Sequence, residues 1–197
     1  MSPRNAFLAG SLAFMVGGAG LAAAVIQLRS PGGQTASQAS TVGGPFSLVD
    51  QDGKTVTEAD LKGRPTLVFF GFTHCPDVCP TALYEITQAL NEMGRDAENA
   101  QALFVSVDPE RDTPEALKAY LSSFSPRIRG LTGSPEAVAQ MVKAYRAYAK
   151  KQPVKDGQYS VDHTAVVYLM DKNGVFVSPL NLKREARDVA AQIRSYV

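Results

Sequence analysis

Tryptophan is absent from this chain, and its 197 residues contain only two cysteines and two histidines. That scarcity confines any soft-metal or redox centre to Cys75, Cys79, His74 and His163. It also weighs against an iron–sulfur cluster, which generally takes four cysteines. An excess of one charge is missing too: 20 basic residues stand against 19 acidic ones, a formal net charge of +1. A nucleic-acid binder usually carries a basic excess or stripe, so no nucleic-acid partner is expected. At 45% hydrophobic and 20% charged residues, the composition is globular, neither collagen-like nor wholly disordered. No internal repeat is present.

Charge disappears altogether between Asn5 and Leu28. Within that stretch Ala6–Leu28 is almost entirely apolar or small, and as a helix its 23 residues reach roughly 34 Å, enough to cross a hydrocarbon layer of about 30 Å. Its glycines suit a membrane span better than a soluble helix. Residues 1–29 are therefore expected to be a single membrane anchor, with a cleaved signal peptide as the alternative, given Ala22-Ala23-Ala24 near a plausible cleavage site. Either one exports the rest of the chain to a disulfide-permissive compartment. Residues 30–42, uncharged and rich in Ser, Gly, Gln and Thr, read as a flexible tether.

Residues 43–197, about 155 of them, are enough to bury a core without disulfide staples. Pro45–Thr57 with its Asp52-Gly53 turn predicts a β-hairpin. Thr66–Phe72 and Ala102–Val107 are continuous apolar runs, as expected of strands buried on both faces. Helices are predicted over Thr81–Met93, from Pro114 to about Phe124, from Pro135 to about Ala149, and over Lys183–Tyr196. Thr113-Pro114-Glu115 and Ser134-Pro135-Glu136 both supply an N-cap, a proline at the first helical position and an acid in the first turn. Ile128–Leu131 predicts a short strand, Lys150–Val161 an exposed loop, and Thr164–Met170 with Val175–Val177 a second hairpin around Asp171–Gly174. Strands alternating with helices define an α/β fold with crossover connections. The closing hairpin and helix fit a thioredoxin-like fold, a central mixed sheet flanked by helices and preceded by a β-hairpin.

Cys75 and Cys79 fall where the first buried strand gives way to a helix, the edge at which open α/β sheets gather ligands. Their C-x-x-x-C spacing puts both on one helical face, some 6 Å apart, compatible with a disulfide after local adjustment. A purely structural bridge over so short a loop would contribute only about 2 kcal/mol. The helix N-terminus is expected to lower thiol pKa and favour the thiolate, the form that ligates metal and attacks disulfides. His163, 84 positions beyond Cys79, precedes a predicted strand, and in a thioredoxin-like sheet that loop faces the cysteine loop. His74 is the competitor, although its side chain is expected to diverge from the thiols. Two thiolates and an imidazole suit copper or zinc. Structural zinc would need a fourth ligand from a carboxylate, His74 or water, whereas copper(I) accepts three and the same set can hold copper(II). Asp77 or Asp162 would either orient a ligand from behind or cap a loop.

Three stretches, Gly71–Pro80 (GFTHCPDVCP), Ser106–Pro114 (SVDPERDTP) and Val161–Thr164 (VDHT), resemble the Sco/SenC family in that order. The resemblance implies a thioredoxin-like copper-binding domain whose metal ligands are Cys75, Cys79 and His163. It further implies a metallochaperone that assists assembly of the binuclear copper centre in subunit II of cytochrome c oxidase. Its other partners would be a copper donor and a thiol reductant. Its place would be the inner (cytoplasmic) membrane, single-pass, with the domain facing the periplasm. An alternative uses Cys75 and Cys79 as the redox-active pair of a thiol–disulfide oxidoreductase that keeps the target's copper-ligand cysteines reduced. The C-x-x-x-C spacing departs from the C-x-x-C of thioredoxins. A peroxiredoxin-like peroxidase is disfavoured, since its T-x-x-C pattern is missing from Thr73-His74-Cys75.

Overall fold

A computed structural model of the chain describes residues 42–154 and 158–197. The expected anchor over 1–29, and all of the expected tether except Val42, lie outside these residues. No helix among the described residues is long and apolar enough to cross a membrane.

The strands are β1 (Ser47–Asp50), β2 (Thr55–Thr57), β3 (Thr66–Gly71), β4 (Gln101–Ser106), β5 (Ile128–Thr132), β6 (Ala149–Pro153), β7 (Tyr159–His163), β8 (Val167–Met170) and β9 (Phe176–Leu180). The α-helices are α1 (Val78–Met93), α2 (Pro114–Leu121), α3 (Pro135–Ala144) and α4 (Ala186–Arg194). Seven strands form one sheet in the order β2-β1-β5-β4-β3-β8-β9. β3, β4 and β5 run parallel at its centre, joined across α1 and α2, and antiparallel pairs complete both sides. The unbroken apolar runs of β3 and β4 are explained by this position, because every residue of both strands is buried.

Alternation along β3 divides the core in two. Leu67 and Phe69 point to a layer formed with α1, α2 and α4 through Leu83, Leu117 and Ile193. Val68 and Phe70 point the other way, towards Val138 and Met141 of α3 and towards Tyr145. The two-residue period of a strand and the four-residue period of the helices over it thus meet in both layers.

Local chemistry accounts for the departures from the sequence reading. α1 begins at Val78 rather than Thr81, so Cys79 is helical. Pro80 is tolerated there because the first turn's N–H groups have no intrahelical partner in any case. α3 stops at Ala144, well short of Ala149, because the chain turns through a left-handed Arg146 at φ 52°. Lys150–Val161 is not a loop. β6 and β7 pair antiparallel as a separate two-stranded sheet, from Ala149↔His163 to Pro153↔Tyr159. Its polar first strand, AKKQP, carries none of the alternation by which strands are recognised. His163 consequently ends a strand instead of preceding one.

β3 ends on Gly71, and no side chain fits there. A Cβ would lie 2.6 Å from Phe104 Cε2 and 2.8 Å from Cys79 Sγ. Gly71→Ala is expected to destabilise the reduced protein by about 1–3 kcal/mol through overpacking. Urea unfolding measures this, and an unchanged midpoint would show the contact to be slack.

Candidate metal centre

Three segments converge beyond the carboxyl end of β3. Cys75 lies in the turn between β3 and α1, its N–H donating to the Phe72 carbonyl at 3.2 Å. Cys79 occupies the first turn of α1 and is completely buried. His163 closes β7, and its imidazole stands edge to face with Phe72 and Phe69, at centroid distances of 5.7 and 6.2 Å. One ligand atom from each of Cys75, Cys79 and His163 lies within 4.8 Å of the others. Both cysteines are free thiols.

The start of α1 has an unusual cap. Asp77 holds the N-cap position without a side-chain hydrogen bond. Instead the Cys79 N–H donates to Cys75 Sγ at 3.4 Å. The sulfur fills the place usually taken by a Ser, Thr or Asp oxygen, and it meets the positive end of the helix dipole. Cys79 has the opposite environment. Burial pushes its thiol well above the ordinary range, and the neighbouring Cys75 sulfur adds to the effect. The expectation that the helix N-terminus lowers thiol pKa is therefore overturned at Cys79: desolvation there outweighs the dipole.

The imidazole is oriented by its backbone. The Thr164 carbonyl, 3.3 Å from His163 Nδ1, can only accept, so Nδ1 carries the proton. Nε2 is then a lone pair facing Cys79 Sγ at 3.5 Å, and the Cys79 thiol donates to it. Burial also lowers the His163 pKa below the usual histidine value. The ring is neutral at neutral pH, as a metal ligand must be.

His74 does not join this group. Its side chain is 56% exposed, and Nδ1–H donates to Thr73 Oγ1 at 2.9 Å. Asp162 accepts from Gln152 Nε2 at 2.7 Å, so the Thr164 carbonyl holds the orienting position considered for an aspartate. Sequence reasoning missed Asp112, a fully buried carboxylate that accepts from the Thr73 N–H and hydroxyl at 3.0 and 2.6 Å. Its signal was present in Ser106–Pro114, a motif without an assigned chemical task. It missed also Tyr120, whose buried hydroxyl has no hydrogen-bond partner. Burial raises that phenol's pKa, and the nearby Cys79, Cys75 and Asp112 raise it further.

Chemically, two sulfurs and one imidazole nitrogen form a compact soft-donor set with three members, one short of a closed structural zinc site. Surface grooves of about 700, 450 and 400 Å³ are lined by none of the three. The spacing of the three donor atoms suits a single ion.

Fold and site together define a thioredoxin-like protein with a three-donor soft-metal pocket at the carboxyl edge of its sheet. Residues 34–197 match the SCO1/SenC family, and the chain belongs to it. The solved structure of Bradyrhizobium japonicum ScoI with copper bound is 58% identical with a TM-score of 0.78, over 79% of this chain and 99% of that one. The mitochondrial SCO1 homolog 1 of Arabidopsis thaliana is 44% identical over 146 residues, 74% of this chain and 43% of that protein. BsSco, described as a member of the Sco family of cytochrome c oxidase assembly proteins with an identified disulfide switch, is 26% identical with a TM-score of 0.62, covering 79% of this chain and 93% of that one. The chain spans about half the length of the first curated relatives it matches.

The neutral, half-buried His163 sets a pH dependence. Its folded-state pKa is depressed, so the unfolded chain takes up more protons as pH falls past the ordinary histidine value. Stability of the metal-free reduced chain is expected to fall from about pH 7.5 to about pH 5.5, above the range in which carboxylates titrate. His163→Gln should flatten that decline. Melting temperatures of both proteins across the window provide the check, and parallel slopes would assign the decline to other groups.

Proposed function

We propose that this chain is a copper carrier that takes one copper ion on Cys75, Cys79 and His163 and delivers it during assembly of cytochrome c oxidase, to the binuclear centre of subunit II. The observation that carries this reading is the convergence of three soft donor atoms within 4.8 Å from positions 84 residues apart in sequence. Membership of the SCO1/SenC family and the copper-bound ScoI relative support copper as the cargo. The apolar run Ala6–Leu28 and the uncharged stretch after it support a tethered domain on the periplasmic face of the inner membrane.

Capture and release follow from the donor environments. The Cys75 sulfur is half-buried at the helix N-terminus and is the first accessible donor. Cys79 loses its proton to solvent on ligation, which frees the His163 Nε2 lone pair from its hydrogen bond to join the donor set. Three donors leave room for an incoming thiolate or imidazole of the acceptor, so copper passes by ligand exchange without being released to water. A copper donor and a thiol reductant would complete the cycle.

A second reading is favoured by the free, adjacent thiol pair. Cys75 as thiolate attacks one sulfur of a target disulfide, forming a mixed disulfide and expelling the other target thiolate. Cys79 then attacks the Cys75 sulfur, its proton passing to the departing target sulfur, and the second target thiol is released. The target is reduced and this chain is oxidised. Such a step would free copper-ligand cysteines on the acceptor.

Copper(I) titration of the reduced full chain, in competition with a chromogenic chelator, separates the two. One equivalent should bind, and Cys75→Ala, Cys79→Ala or His163→Ala should weaken affinity by at least about a hundredfold, beyond the usual cost of an outer-shell change. Unaltered affinity in Cys75→Ala and His163→Ala would sink the carrier reading. Disulfide reduction that survives His163→Ala but not Cys75→Ala would favour the second.

A further inference from the structure

The turn after β4, Asp108-Pro109-Glu110-Arg111-Asp112, belongs to the Ser106–Pro114 motif, to which neither proposed activity gives work. We propose that this turn is the positioning element that fixes the spacing between thiols and imidazole, gripping the cysteine segment with Asp112 and the histidine hairpin with Asp108 and Arg111. The proposal rests on the copper-carrier reading.

On the thiol side Asp112 accepts from the Thr73 N–H and hydroxyl, and from the Ser106 hydroxyl at 2.7 Å. Thr73 stands two residues before Cys75. On the imidazole side Asp108, equally buried, accepts from Tyr159 Oη at 2.8 Å and from Arg111 Nε. Arg111 Nη1 donates to the Tyr159 carbonyl at 3.2 Å, and the guanidinium carbon lies 3.9 Å from the Tyr159 ring centroid. Tyr159 opens β7 and His163 closes it. Glu110 adds an ion pair to Lys151 of β6 at 2.6 Å.

The two grips move as one body. The Arg111 and Asp112 N–H groups both donate to the Asp108 carbonyl, at 3.1 and 3.0 Å. Ser106 Oγ accepts from the Asp108 N–H at 3.0 Å while donating to Asp112. Among the described residues β7 pairs in its sheet with β6 alone, so no sheet ladder there fixes it to the strand that leads to the cysteines. The turn supplies that link through buried, charge-assisted hydrogen bonds, which are short and directional. A plain fold staple would affect every ligand alike. A positioning element acts through the ligand it positions.

The test is a cycle of Tyr159→Phe with His163→Ala in the reduced full chain, read by copper(I) competition titration. Tyr159→Phe alone should weaken binding about five- to tenfold, the scale of one charge-assisted hydrogen bond. In the His163→Ala background it should cause no further loss. Thr73→Val, acting on the thiol side, should weaken binding by a similar factor in both backgrounds. Amide exchange of the metal-free chain gives a readout without copper: Tyr159→Phe should accelerate exchange across Val161–His163. Should Tyr159→Phe lower the melting temperature markedly, Arg111→Lys, which keeps the charge but loses the fork, replaces it in the cycle. Equal losses from Tyr159→Phe in both backgrounds, or unchanged exchange, overturn the proposal. Failure of the wild-type chain to bind copper instead overturns the carrier reading, and the exchange arm still judges the turn.

Discussion

The site depends on one close approach, that of the end of β3 to the first turn of α1. Gly71 lets the Phe104 ring and the Cys79 sulfur meet over a backbone with no side chain in between. That contact buries Cys79 completely and fixes the direction in which its sulfur faces. The Cys75 sulfur then falls within reach of the Cys79 N–H, and the helix starts on a sulfur cap. Without the close approach the helix would lift from the sheet edge and the imidazole would have no buried partner to face.

The two sulfurs, only a helical turn apart, sit in different physical surroundings. One meets the N-terminal dipole and is partly open to solvent; the other is desolvated and donates to a neutral imidazole. Separating two like groups by environment gives them an order of action. In either proposed activity the accessible sulfur would engage first, and the buried one would join after losing its proton. The same order serves metal capture and disulfide exchange, so the geometry is common to both proposed activities.

The strands of the central sheet were legible because burial on both faces leaves continuous apolar runs, as in Thr66–Gly71 and Gln101–Ser106. The helices after Thr113 and Ser134 were legible from their caps, and both threonine and serine accept from the expected backbone N–H. Cys75, Cys79 and His163 were found from their chemistry and from a family resemblance, and the structure brings their ligand atoms together. What escaped detection was held by long-range contacts. β6 has no apolar alternation because, apart from Ala149 against the core, its partner strand and the turn after β4 hold it in place. The Thr164 carbonyl and the Asp112 carboxylate act through geometry that no spacing along the chain encodes. The early start of α1 was hidden because sulfur is not among the residues by which an N-cap is recognised.

The two-stranded β6–β7 sheet carries a hazard of its own. Among the described residues this ribbon pairs with no other strand, and the open borders of such a ribbon can recruit strands from other molecules. Here the β7 border is occupied at Tyr159, whose carbonyl accepts from Arg111. The β6 border bears exposed Lys150 and Lys151 and ends on Pro153, residues that repel or cannot continue a ladder. A protein whose proposed task brings it face to face with other chains is thereby guarded against polymerising with its own copies.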